Sequence, residues 1–255
     1  MKKFFAAAIT LLFATNIVAQ DKDIRFGLSA TPSLNWYKPE DLQKFKSNGV
    51  GLGFGWGLDV EFKISDIASF YTGLKLNNDR GKLTFLDSLG YELIDGKFSA
   101  STPVDSNNFY LLYDRSYKAN YVALPLGIKM KTNEIGYLTY FGQFGLITGI
   151  KTKATANDNS AKYDLKNKTA AQKAQVSNLD INDDMQLFRF QLSIGGGAEY
   201  NLSGSTALVF GVNYNLGFSN VLKKTSKYIK EIDQTTGIKQ NATAHNISLS
   251  VGILF

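Results

Sequence analysis

Alternation of large apolar residues with small or charged ones is the dominant pattern of this chain. In residues 50–64, VGLGFGWGLDVEFKI, every second residue from Val50 onward is large and apolar, and four glycines and three charged residues lie between them. Since successive side chains of a β-strand point to opposite faces, the pattern predicts a strand with one apolar face. Glycine weakens a strand interior, so we expect the four glycines to face a crowded surface.

The same period of two recurs along the chain and predicts eight strands. We place them at residues 24–36, 50–64, 69–78, 120–131, 137–151, 187–202, 206–218 and 246–255. The connections between them alternate between short turns and long polar segments, which is typical of an up-and-down meander with short turns at one end and long loops at the other. The strands are longer than those of most soluble domains and match the length of tilted strands that cross a bilayer.

The second face of these strands indicates which side meets lipid. It is mostly Gly, Ser, Thr and Asn, and it carries nine charged residues: Arg25, Asp59, Glu61, Lys63, Lys75, Lys129, Lys151, Arg189 and Glu199. A soluble barrel with an apolar interior is the alternative, but its outer surface would need many more charges. We therefore predict an all-β fold, an eight-stranded antiparallel up-and-down transmembrane β-barrel, with the nine charges paired in a narrow lumen.

The N-terminus carries the features of an export signal. Lys2 and Lys3 precede an apolar run from Phe4 to about Val18, and Ala19 follows it. We predict a cleaved signal peptide over residues 1–19 and one barrel domain over residues 20–255 in the outer membrane, with a retained anchor as the alternative. The chain has no cysteine, so its stability cannot depend on disulfides, and a net charge of +6 does not indicate a nucleic-acid partner.

One segment and the order of its neighbours resemble a known family. NYVALPLGIKMK, residues 120–131, is similar to a strand motif of the PorT family of outer-membrane β-barrels. The early FGLSATPSLN, the later IGGGAEYNLSGSTALVFGVNYNLGFSNV and a last strand ending in phenylalanine fit the same family order. The resemblance implies an eight-stranded outer-membrane barrel with periplasmic termini and carries over no catalytic residue or cofactor. It also implies that one C-terminal set resembles the signal bound by the barrel-assembly machinery: Ile247, Leu249, Val251, Ile253 and Phe255.

Other candidate sites are less specific. The glycines of residues 51–57 have the spacing GxGxGxG inside a strand, which is not that of a phosphate-binding loop. His245 and Ser248 would point to opposite faces of one strand, which disfavours the His–Ser pair of a lipid A hydrolase. Acidic residues of the third long loop are possible calcium ligands, although an EF-hand pattern is missing: Asp158, Asp164, Asp180, Asp183 and Asp184. Lysines of the fourth long loop could meet lipopolysaccharide phosphates or simply be solvated: Lys223, Lys224, Lys227, Lys230 and Lys239.

Together these patterns favour a non-enzymatic barrel that acts through its long outer loops or through partner proteins. The PorT family includes a component associated with type IX protein secretion, so support of secretion is one version of this function. A small-solute porin is the second hypothesis, and a lipid A-modifying enzyme is the third. The expected partners are outer-membrane lipid and lipopolysaccharide, the barrel-assembly machinery and secretion-system proteins, without nucleic acid.

Overall fold

The computed structural model describes residues 23–86, 89–99, 108–232, 234 and 236–255. The signal peptide predicted for residues 1–19 lies outside the described residues. The described part of the chain contains one short 3-10 helix, Asn182–Asp184, and fourteen strands: β1 (Ile24–Pro39), β2 (Phe45–Ser47), β3 (Gly51–Ser65), β4 (Ala68–Phe85), β5 (Leu89–Ile94), β6 (Lys97–Ser99), β7 (Phe109–Lys131), β8 (Leu138–Asp164), β9 (Thr169–Asp180), β10 (Phe188–Ser203), β11 (Thr206–Gly217), β12 (Thr225–Glu231), β13 (Gly237–Lys239) and β14 (Ala242–Leu254). No helix among these residues is long and apolar enough to cross a membrane.

Eight strands close into a ring in which every neighbouring pair is antiparallel. Their order is β1, β3, β4, β7, β8, β10, β11, β14 and back to β1. Short turns join β3 to β4, β7 to β8 and β10 to β11, and Gly136 and Gly204 supply the positive φ angles that two of these turns need. The predicted eight-stranded up-and-down barrel is confirmed.

The faces of the ring are inverted relative to a soluble protein. Large apolar side chains point outward and are exposed, as for Leu52, which is 71% exposed, while Ser193 and Asn215 point inward and are buried. An exposed apolar belt of this extent is stable in lipid and not in water. The lipid-facing assignment of residues 50–64 therefore agrees with the structure.

Above this belt, at the end opposite the short turns, the prediction of long polar loops is wrong. Strands β4, β7 and β8 continue far beyond the ring, and β8 turns back into β9. We call the outer parts of β1, β4, β7 and β8, together with β2, β5, β6, β9, β12, β13 and the 3-10 helix, the cap. The cap has an apolar core that includes Tyr37, Leu83, Tyr91, Leu112 and Ile229, so it is a folded layer rather than a set of loops.

Candidate functional site

Five charged side chains face the lumen near the short turns, and we call them the inner cluster: Arg25, Glu61, Lys129, Lys131 and Glu199. They come from β1, β3, β7 and β10, where alternation turns each of them inward, and the β-ladder places Arg25 opposite Glu61. Arg25 Nη1 donates to Glu199 Oε2 at 2.7 Å. Lys131 Nζ lies 2.7 Å from Glu61 Oε2 and 2.8 Å from Glu199 Oε1.

The inner cluster fills the lumen at this level. Lys129 pairs with Glu61 and lies 3.5 Å from Glu199 Oε1, so each carboxylate contacts three cations. On the lumen side, Lys129 Nζ lies 4.6 Å from the centroid of the Phe141 ring. The cluster lies between a polar mouth at the short-turn end and a cavity in the middle of the barrel. Because the charges satisfy one another, they hold this end closed.

The middle of the lumen is polar and hydrogen-bonded. Lys75 Nζ lies 2.9 Å from Asp59 Oδ1 and donates to Ser29 Oγ at 3.0 Å. Gln143 Nε2 donates to Asn213 Oδ1 at 2.6 Å. The cavity between these groups has a volume of about 120 Å³, which holds roughly four water molecules at the density of liquid water.

The outer end of the lumen is closed by aromatic rings and a buried arginine. Arg189 pairs with Asp79, and its guanidinium carbon lies 4.2 Å from the centroid of the Tyr121 ring. The rings of Tyr37 and Tyr117 lie above, with centroids 5.3 Å apart, and both belong to the apolar core of the cap. The polar bore therefore ends beneath a layer of packed side chains.

Inside the cap, Arg115 and Asp158 form a bidentate ion pair. Arg115 Nε donates to Asp158 Oδ1 at 2.8 Å and Nη2 donates to Oδ2 at 2.6 Å, and the two side chains are 1% and 0% exposed. The rings of Tyr91, Phe98 and Tyr117 surround the guanidinium. Burial disfavours the charge of Arg115, but the Asp158 carboxylate more than offsets it and raises the arginine's pKa. Burial also raises the pKa of the Tyr91 hydroxyl, which stays neutral.

The nine charges predicted for the lumen divide into separate groups. Lys63 pairs with Asp66 of the following turn at 3.1 Å. Lys151 Nζ donates to the carbonyl oxygens of Asn182 and Met185 at 2.5 and 2.9 Å, which ties β8 to the base of the cap. Neither lysine joins the inner cluster.

Sequence reasoning does not identify Lys131, Asp79 or Arg115, and it offers Asp158 only as a possible calcium ligand. The structure instead pairs Asp158 with Arg115. Lys131 and Asp79 each lie two residues beyond the last inward position assigned on their strand, so extension of the alternation by one step finds both. Arg115 and Asp158 lie in segments taken as loops, and no pattern in those segments marks them as partners.

The remaining candidate residues do not assemble into a catalytic or metal site in the described residues. His245 faces outward, stacks on Trp36 with ring centroids 6.0 Å apart, and its Nε2 lies 2.8 Å from Thr243 Oγ1. Ser248 faces the lumen cavity, on the other side of β14. Among the acidic residues, Asp158 binds Arg115, and Asp184 accepts hydrogen bonds from Ser226 and from the backbone of Lys227.

The C-terminal set follows the outward face of the last strand. Ile247, Leu249 and Val251 of β14 are exposed to the lipid side. Phe255 is exposed as well, and its backbone N–H donates to the carbonyl oxygen of Phe26 at 2.7 Å. Recognition of this segment during assembly stays a prediction.

Comparison with known proteins identifies the kind of barrel. A family model described as outer membrane protein beta-barrel domain matches residues 18–223. Among solved structures, Neisserial surface protein A is 10% identical, with 91% of this chain and 96% of that chain covered and a TM-score of 0.43. The outer membrane protein OprG from Pseudomonas aeruginosa is 11% identical, with coverages of 94% and 99% and a TM-score of 0.47. Ail, the attachment invasion locus protein of Yersinia pestis, is 12% identical, with coverages of 92% and 100% and a TM-score of 0.33. No curated protein matches the chain.

Proposed function

The chain belongs to the outer membrane protein beta-barrel domain family, and on that premise we propose that it is a closed, non-enzymatic barrel of the outer membrane that acts through its cap. The observation that carries the proposal is the double closure of the lumen. The inner cluster fills one end, and the apolar core of the cap covers the other. Closure of the lumen at both ends is incompatible with the passage of solutes. A barrel that anchors a surface structure, in contrast, gains rigidity from the inner cluster and from the core of the cap.

The energetics of the cap favour a permanently closed state. Tyr37, Leu83 and Tyr91 are almost completely buried in its core. Returning a side chain of this size to water costs about 1.5–3 kcal/mol. A conducting path would expose several such side chains at once and also the Arg115–Asp158 pair, so thermal motion does not open it.

Conductance separates this proposal from a small-solute porin. The wild-type protein, refolded and inserted into planar bilayers, is expected to give no step above the empty bilayer. Two matched variants add a tryptophan on either side of the wall. Ser193→Trp fills the lumen, and Ile194→Trp lies in the lipid belt, where Ile194 is 61% exposed. A wild-type conductance that Ser193→Trp removes and Ile194→Trp keeps would contradict a closed barrel.

We further propose that the partner of the cap is a protein of the secretion machinery. The PorT-like order of the strands supports this version of the function. A deletion strain is expected to lose secreted cargo, and complementation with Ser193→Trp is expected to restore it, since a blocked lumen leaves the cap intact. A variant that changes two exposed residues of β9, Gln172→Ala with Gln175→Ala, is expected to restore secretion less well. Normal secretion in the deletion strain would remove this version and leave the closed barrel standing.

We also infer that residues 1–19 are a cleaved export signal and that the C-terminal set is the segment bound by the barrel-assembly machinery. The composition of the N-terminus supports the first inference. The outward-facing apolar residues that end at Phe255 support the second.

A further inference from the structure

A row of cations runs around the base of the cap on its outward face, and we call it the basic rim: Arg80, Lys82, Lys118 and Lys153. All four side chains are exposed. The β-ladders place Arg80 of β4 directly opposite Lys118 of β7, and Asn120, two residues further along β7, opposite Lys153 of β8. The four residues therefore form one patch on three neighbouring strands.

The basic rim begins where the lipid belt ends. Leu76 and Val122 lie opposite each other as the last outward apolar pair of β4 and β7. Arg80 and Lys118 each lie four residues further out, about 13 Å along a strand and roughly 10 Å in height for a strand tilted by about 40°. Long basic side chains reach back from such a position toward the headgroups. The patch therefore lies at the level of the lipid phosphates.

Among the residues that the structure describes, no acidic side chain pairs with this patch. None of the four cations has an ion pair or a side-chain hydrogen bond within the described residues. Asp114, on the same face, is already bonded by Thr84 at 2.6 Å, Asn48 at 2.9 Å and Asn159 at 3.3 Å. Like charges directly opposite each other destabilise a sheet, so an external anion bound between Arg80 and Lys118 would stabilise the arrangement.

The charge along the same strands is most positive next to the lipid. On β4, β7 and β8 the rows that hold the rim contain its four cations and no acidic side chain, and Ser116 lies opposite Lys82. In the next row outward, Thr84 lies between Asp114 of β7 and Lys46 of β2, so an anion accompanies the cation. The excess of positive charge on these strands is therefore concentrated in the rows beside the lipid belt.

We propose that the basic rim binds the phosphate groups of the phosphorylated glycolipid of the outer leaflet. The lipid belt beneath the rim holds the acyl chains, and the rim meets the phosphates of the same molecule. A lipid-anchored anion is favoured over a soluble one, because the apolar surface directly below the cations holds it in place. This inference does not depend on the proposed function of the cap.

The test compares binding of lipid A by the full chain, refolded in detergent, with that of two double variants. Arg80→Gln/Lys118→Gln removes half of the rim, and Lys162→Gln/Lys166→Gln removes two exposed lysines near the β8–β9 turn, away from the belt. At about fivefold per charge, or ~1 kcal/mol, the rim variant is expected to bind lipid A about 25-fold more weakly. The distal variant is expected to stay within about twofold of wild type.

Three outcomes would overturn the proposal. One is equal loss in both variants, which indicates general surface charge. The second is unchanged binding by the rim variant. The third is displacement of lipid A by inorganic phosphate at equal concentration, which indicates a site for soluble anions. Lipid A without phosphates serves as the negative probe, and the shift of electrophoretic mobility on boiling confirms that each variant is folded.

A second variant keeps the test independent of folding yield. Lys118→Glu places a carboxylate opposite Arg80. In lipid-free detergent it is expected to raise the thermal midpoint, because it removes the repulsion between residues 80 and 118. In the presence of lipid A it is expected to lose the stabilisation that the wild type gains. A purely structural role for the rim predicts the same change in both conditions.

Discussion

The inner and outer halves of strand β7 follow opposite rules. Between Tyr121 and Lys131 the inward side chains include Lys129 and Gly127, and the outward ones are apolar and exposed, as for Leu124. Between Phe109 and Ala119 the inward side chains include Leu112 and Tyr117, which are buried in the cap core. From Arg115 to Lys131 the alternation continues without a break, so only the polarity of the two faces is exchanged there. Further out, a bulge between Leu112 and Asp114 shifts the alternation by one residue.

The exchange shows that alternation identifies two faces but not the side on which each one lies. The inner half is surrounded by lipid, so its apolar face must point outward. The outer half is surrounded by water, so its apolar face must point inward. The surroundings change near Asn120 and Tyr121, where the register against β8 also shifts. One continuous strand thus serves as membrane wall and as wall of a soluble cap.

The largest expected effect comes from a glycine of the inner half. A Cβ at Gly57 would overlap the carbonyl oxygen of Leu74 and the Cα of Lys75, which are backbone atoms that cannot turn away. We expect Gly57→Leu to fail to assemble, while Leu58→Phe, at a position 51% exposed on the lipid face, assembles at the wild-type yield. The measurement is the fraction of membrane-extracted protein whose mobility shifts on boiling. Equal yields for the two variants would refute the assigned faces.

The next largest expected effect is on the free energy of unfolding, and it compares the buried ion pair of the cap with the inner cluster of the lumen. Asp158→Ala leaves Arg115 buried without its carboxylate, which is expected to lower the free energy of unfolding by about 3–5 kcal/mol. Glu61→Gln at the inner cluster is expected to cost less, about 1–3 kcal/mol, because the cluster borders a polar mouth and Glu199 remains. Urea unfolding in micelles measures both changes, and hydrogen exchange shows which half of the molecule loses protection.

A matched control removes both charges of the cap pair. Arg115→Met with Asp158→Leu is expected to be nearly neutral, since apolar residues of similar volume replace a buried ion pair at little cost. A decrease in the free energy of unfolding that is no larger for Asp158→Ala than for Glu61→Gln would mean that the cap interior is as accessible to water as the lumen.

The smallest effect concerns the outer surface of the cap. Lys227 Nζ lies 2.5 Å from Asp183 Oδ2, and both side chains are 52% exposed. The hydrogen bond from Lys227 lowers the pKa of Asp183 below its ordinary value. The contribution of this pair to stability is therefore present above the ordinary aspartate pKa and is lost as the pH falls through the lowered one.

Lys227→Met is expected to raise the pKa of Asp183 toward the ordinary value and to leave the thermal midpoint at neutral pH unchanged, since exposed pairs contribute little. Titration of the Asp183 carboxyl carbon by NMR measures the shift. An unchanged pKa would show that Lys227 does not hold this carboxylate in solution.

The sequence predicts the ring well because large apolar side chains mark its lipid face at every second residue. It does not predict the outer part of β8, where the buried positions Ala154, Ala156, Asp158 and Ser160 are small or polar. Such residues do not stand out as an apolar face. In the pairing with β7, Lys151 and Lys153 lie opposite consecutive residues, so Thr152 is an extra residue of β8. Beyond this bulge, inward and outward positions of β8 are exchanged. The pairing of Arg115 with Asp158 depends on that register, so no local pattern contains it.

The cap is an obstacle to any movement of the chain back through its own ring. A folded layer cannot enter the lumen, since the lumen of eight strands has room only for its own side chains. Once β8 and β9 pair and Arg115 closes on Asp158, the folded layer is wider than the bore beneath it. The cap then acts as a mechanical stop on one side of the ring. Passage of the chain back through the ring therefore requires that the cap first unfold.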